Sequence, residues 1–305
     1  MQVVPLITYA ALGIGLLAML VKVFRYATAP EHMRWELYPV PHEKGRSDYG
    51  GSYLEELDWW TKERHTDMFN ELKEMAEEII LLKGVFKHNR IVWAFSFPFH
   101  LGLYLCIGWL MFLLIGAIIQ ASGIVVASSS GGIAGLVHLV TSILGWTGLI
   151  LAGYGSLGLF FWRLGNKQQR GYSAPIEYIN LIFFFAVTVI TLYAQATIDP
   201  AFTLLRDYTQ TLITFSALPA FPALIKLEIV LGSLLMMYIP LTRMSHFVAK
   251  YFLYHAVRWN DEPNKRGSKI EARILELLNQ KVGWSAPHIQ TGQSWGEVVK
   301  EMKHE

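Results

Sequence analysis

The sequence predicts an all-α integral membrane protein: a five-helix transmembrane bundle with a cytoplasmic helical insertion and a cytoplasmic C-terminal tail. Three observations carry this. The 305 residues are 53% hydrophobic and only 16% charged, with a mean hydropathy of +0.33. The apolar residues are gathered into long runs rather than spread evenly, which a soluble domain does not do. Five of these runs reach the roughly 20 helical residues needed to cross a hydrocarbon core of about 30 Å.

In chain order the predicted spans are Val3–Val23, Val92–Ile119, Ile133–Trp162, Tyr178–Ile198 and Leu224–Phe247. The first has no basic residues ahead of it, and its apolar run is too long for a signal peptide, so it reads as a retained helix. The loop after the third span carries Arg163, Lys167 and Arg170. Gln120–Gly132 has no Lys or Arg, and Asp199–Pro222 has only Arg206. The excess of basic residues belongs on the cytoplasmic side. The expected orientation in a prokaryotic inner membrane therefore places the N-terminus outside, with 24–91 and 248–305 inside.

The insertion 24–91 opens with the turn-rich PEHMRWELYPVPHEKGRSDYGGSY. Met68, Leu72, Met75, Ile79 and Leu82 then recur at helical spacing beside an acidic face. This pattern suits a helix at the membrane surface, a docking platform for a cytoplasmic partner, or both. The tail 248–305 continues the fifth helix, breaks at DEPNKRGS, and adds a short helix, KIEARILELLNQ. It is too small for a catalytic domain. A net charge of +2 gives no case for nucleic acid. The single cysteine, Cys106, excludes an internal disulfide, a thiolate zinc site and a cysteine-held iron–sulfur cluster within this chain. No CxxCH occurs, so any haem is non-covalent.

Two histidines, His100 and His246, lie inside the predicted spans. An ionisable ring in lipid is costly and is a functional candidate. Neutral imidazole is also an axial ligand of haem iron. His100 lies ten residues past Arg90, about 15 Å along a helix. His246 lies just before Lys250, at the same expected end of the fifth span. Matched depth allows both to ligate one haem b. The alternative for each is a packed ring bonded to a backbone carbonyl. Gly102 would let a flat macrocycle approach, and Arg90 and Arg243 suit propionates or lipid phosphates. Pro240 is expected to bend the helix before His246.

The string LGSLLMMYIPLTRMSHF resembles the fifth helix of the gamma (cytochrome b) subunit of respiratory nitrate reductases, and FPFHLGLYL resembles its second. The same five-helix core occurs in membrane cytochromes of sulfate reducers and of heterodisulfide-reductase-type complexes. The segment RWELYPVPHE…GGSYLEELDWW looks like the group that works with cytoplasmic iron–sulfur subunits. The resemblance implies haem b, menaquinone as substrate and an iron–sulfur protein as partner. It also implies a second, outer haem, but Leu110 and Glu228 stand where its usual histidines would be. His138, with Met111 as a partner, is the remaining candidate for such a haem. Alternatively, His138 and Glu228 serve an outer quinone site by accepting protons. A haem-free anchor for an iron–sulfur subunit and a transporter are the competing functions.

Overall fold

A computed structural model describes residues 3–29, 43, 45–46, 49, 52–63, 67–255, 264–287 and 289–301. Most of the stretch RWELYPVPHE, and His32, His42, His65, His288 and His304, lie outside the described residues. Twelve α-helices and no strand occur among those described. In order they are α1 (Val3–Ala27), α2 (Met68–Ile80), α3 (Lys83–His88), α4 (Arg90–Ala121), α5 (Gly132–Gly165), α6 (Lys167–Tyr172), α7 (Pro175–Thr197), α8 (Thr203–Thr214), α9 (Ala223–Leu241), α10 (His246–Leu253), α11 (Lys269–Leu278) and α12 (Trp295–Glu301). Five of them, α1, α4, α5, α7 and α9, are long and apolar enough to cross a membrane.

The chain divides into two compact units. The first contains residues 1–18 and 75–244. Its spine is the antiparallel pair α4–α5, built by glycine. A Cβ on Gly102 would sit 2.4 Å from the Ala152 backbone nitrogen, and one on Gly155 would sit 2.5 Å from Phe99. Gly158 meets Phe95, Gly148 meets Cys106 and Gly145 meets Trp109 in the same register. Among apolar helices the drive to associate comes from packing, and small residues let backbones approach. Asn89 starts α4 by accepting from the Val92 amide at 3.0 Å. Pro175 opens α7, where its missing N–H costs nothing.

The first half of α1 packs in this unit through Gly15, which lies against Met236, Met237 and Pro240 of α9. Thr8 bonds both Tyr208 and Ser233. Helix α8 is absent from the sequence expectation, which reads 199–222 as a loop. Asp199 accepts the Thr203 and Leu204 amides at 2.9 and 2.7 Å and so caps α8. Phe202 takes a left-handed backbone, φ 56°, and is fully buried between Trp109 and Trp146. The cap and the wedge together turn the chain back onto α4.

The second unit contains residues 19–74 and 245–305. Lys22 reaches Ser245, and Tyr26 stacks on Phe252 of α10. Glu71 pairs with His255 at 2.7 Å. Buried Glu43 accepts from Ser52 and the Tyr53 amide. Ser268 and Ser294 cap α11 and α12, with Glu271 and Glu297 at the N3 position of each. Val282, Ile289 and Val298 form a small core beside α12.

The expected fifth span, Leu224–Phe247, ends early. Helix α9 stops at Leu241, Thr242 is extended, and Arg243–Ser245 form a single 3₁₀ turn before α10. Pro240 was expected to bend this helix; instead the helix ends one residue beyond it. The Thr242 hydroxyl accepts the Met244 amide, a local turn that competes with helix.

Gly155→Leu should lower the unfolding midpoint in detergent by the equivalent of about 2 kcal/mol or more, because the added atoms meet backbone. Gly232→Leu, where nothing lies within 4 Å, should leave it nearly unchanged. Circular dichroism melts of the two variants check this.

Candidate functional site

Two faces of α4 organise the first candidate site. At about 100° per residue, Phe95, Phe99, Gly102, Cys106 and Trp109 fall on the face toward α5. Trp93, Phe97, His100 and Tyr104 fall on the opposite one. The glycine seam fixes the first face and so points the His100 stripe away from α5. His100 is half-buried. Its Nδ1 lies 2.7 Å from the Ser96 carbonyl oxygen. A carbonyl only accepts, so Nδ1 carries the proton and the lone pair lies on Nε2. That is the tautomer an imidazole uses as a metal ligand, oriented by its other nitrogen. Phe99 sets its ring edge-on to His100 and to Phe184.

Gly102 has a different task from the expected one. It is buried in the seam, on the face of α4 opposite His100. Its small size serves the α4–α5 crossing and not a macrocycle. Arg90 is exposed, with its guanidinium 3.8 Å above the Phe86 ring. Arg243 is exposed on the 3₁₀ turn after α9. His246, expected near the inner end of the fifth span, is instead the first residue of α10 and is exposed. His100 belongs to the first unit and His246 to the second.

A second cluster of polar side chains gathers around α8. Arg206 is fully buried, its Nε donating to Gln120 and an Nη to Thr203, while its Nη1 has no hydrogen-bond partner among the described residues. Gln120 in turn donates to Asp207 and Gln210. Burial pulls the Arg206 guanidinium down from its ordinary range, against the pull of Asp207 and Asp199. Burial likewise pushes the Asp199 carboxyl up, opposed by the backbone amides of α8. Glu228 is buried on α9, and both its oxygens accept from Gln195 Nε2 of α7, at 3.0 and 2.9 Å.

His138 lies on α5 and lines an open cleft of about 480 Å³ with Ser128, Ser130 and Ser142. Its Nδ1 is buried without a hydrogen bond among the described residues. Glu228 does not line this cleft, so the two residues expected at one outer quinone site are not brought together there. Met111 falls on the His100 side of α4, away from α5, and is 53% exposed. It is therefore not aimed at His138. Among the described residues no three His, Cys, Asp or Glu side chains gather as a metal site. A haem asks only for axial ligands rather than such a cluster.

Sequence reasoning passed over Arg206 and Gln195. Arg206 was counted as a loop charge. The signal that α8 exists is Leu205, Tyr208 and Leu212 at helical spacing behind Asp199. Gln195 carried no signal, since a lone amide in an apolar run is unremarkable until its carboxylate partner is known.

Gln195→Leu should destabilise the protein by about 1–3 kcal/mol, because it strips a buried carboxyl of its donor. The double replacement with Glu228→Leu should recover much of that loss. Equilibrium unfolding of the single and double variants measures the coupling. No family model, curated protein or solved structure matches the chain, so the resemblance to nitrate reductase gamma subunits rests on the motif residues alone.

Proposed function

We propose that this chain is the membrane cytochrome b subunit of a respiratory oxidoreductase complex. In this reading it lies in a prokaryotic inner membrane with its N-terminus outside. It passes electrons between menaquinone and a cytoplasmic iron–sulfur protein of the heterodisulfide-reductase type. The observation that carries the proposal is the His100 ring, held by the Ser96 carbonyl in the tautomer with its lone pair on Nε2. Five helices of membrane-crossing length and composition support the same reading. In this reading His246 is the second ligand of one haem b, and Arg90 and Arg243 are cations for its propionates.

A bound haem would supply single-electron transfer. The chain's own residues do the rest. The Ser96 carbonyl prevents the ring from turning and raises its basicity. Phe99 sets apolar ring surface against His100. In this reading the chain acts as one part of a larger enzyme. His138 and Glu228 remain separate candidates for proton acceptance on quinol oxidation. Glu228 is buried, whereas His138 is half-buried and lines an open cleft.

The purified full chain should show a b-type α band in a reduced-minus-oxidised spectrum, with about one haem per chain by pyridine haemochrome assay. His100→Ala and His246→Ala should each abolish it while retaining helical content. A protein purified from haem-replete cells without that band would instead be the haem-free anchor.

A further inference from the structure

The contact between Glu228 of α9 and Gln195 of α7 leaves one group unmatched. Gln195 is fully buried, and Glu228 is 4% exposed. The amide Nε2 donates to both carboxyl oxygens, at 3.0 and 2.9 Å. The other end of the same amide, Oε1, is buried with no hydrogen-bond partner among the described residues. A buried acceptor without a donor costs free energy. An ionised carboxylate has no hydrogen to give it. A protonated Glu228 has one. Its hydroxyl can donate to Oε1 while its carbonyl oxygen accepts from Nε2. The amide then shifts from bridging both oxygens to meeting each with one of its own groups.

The surrounding charges favour the same state. Asp199, four residues after Gln195, is the charged group that acts on Glu228, and it has the same sign. Asp199 has the Thr203 and Leu204 amides and the Arg206 guanidinium to support its own charge. Arg206 of α8 acts on Asp199 and Asp207 and bonds Gln120 and Thr203. Tyr208 of α8 bonds Thr8 of α1, and Lys226 on α9 itself is exposed. Among the described residues no cation acts on Glu228. A buried carboxylate with one neutral donor and no cation is costly. Of two interacting carboxyls, the better supported one keeps the charge and the other takes the proton.

We propose that Glu228 and Gln195 form a proton-binding site between two helices of membrane-crossing length. Glu228 takes up one proton from the aqueous phase and returns it there. Gln195 changes from a donor to both oxygens into the reciprocal partner of the acid. This extends the proton-accepting role considered above for Glu228. It rests on the geometry of the pair, and no haem or quinone enters it.

The test is infrared spectroscopy of the full-length protein in nanodiscs, titrated from acid to alkaline buffer in light and heavy water. Wild type should show a carboxylic acid C=O band that shifts on deuteration, persists in neutral buffer and fades in alkaline buffer. Glu228→Gln should lose it. That variant offers Gln195 the same reciprocal pair, so the fold is kept. The band should lie at the hydrogen-bonded position, and Gln195→Met should move it to higher wavenumber. A spectrum unchanged by Glu228→Gln would overturn the site, and a band that no buffer titrates would overturn reversible binding. A band unmoved by Gln195→Met would overturn the role of Gln195. So would a wild-type band at the free-acid position, which decides the point if Gln195→Met does not fold. A preparation without haem would overturn the cytochrome reading and leave these outcomes to decide the proton site.

Discussion

The close crossing of α4 and α5 is the constraint on which the rest of the first unit depends. Gly102, Gly145, Gly148, Gly155 and Gly158 bring the two backbones together at one register. Without lateral hydrophobic drive in an apolar medium, this contact area is what the pair has to hold it. Its main consequence is rotational. Once Phe95, Phe99 and Cys106 are committed to α5, the opposite stripe is fixed, and Trp93, Phe97, His100 and Tyr104 have one direction in which to point. A seam of small residues on one side of a helix thus sets the aim of an imidazole on the other.

The polar groups follow the same economy. Each buried hydrogen-bonding group costs free energy unless matched, and most here are matched across helices. Thr8 joins Tyr208 and Ser233, Tyr238 donates to Asn180, and Gln195 serves both oxygens of Glu228. The exceptions stand out for that reason. Among the described residues they are the Nη1 of Arg206, the Nδ1 of His138, the Nε1 of Trp109, the Tyr178 hydroxyl and the Oε1 of Gln195. Asp199 and Phe202 hold α8, by charge at its first amides and by a wedge between two tryptophans.

Much of the helical plan was legible in the sequence because it is written in long apolar runs. The ends of α1, α4, α5 and α7 fall within a few residues of those expected. The fifth span was drawn too long, since apolar Met244, Phe247 and Val248 continue the pattern past a break set by the Thr242 turn. Helix α8 was missed because its composition is polar and its cap lies behind a proline and an alanine. For the candidate site, His100 was visible as an ionisable residue in an apolar run. Gly102 was read by proximity to it, although two positions along a helix is nearly the opposite face. The bonds from Trp93 to the Leu81 carbonyl and from Tyr104 to the Ile79 carbonyl have no sequence signature, because each depends on where a distant backbone carbonyl arrives.

The central claim is that imidazole nitrogens hold the iron on both sides. Near-infrared magnetic circular dichroism of the oxidised, purified protein addresses this directly, because the ferric charge-transfer band separates bis-imidazole from imidazole–thioether or five-coordinate haem. The account predicts a single low-spin bis-imidazole band. A thioether-ligated or high-spin signature, or no haem signal at all, would contradict it.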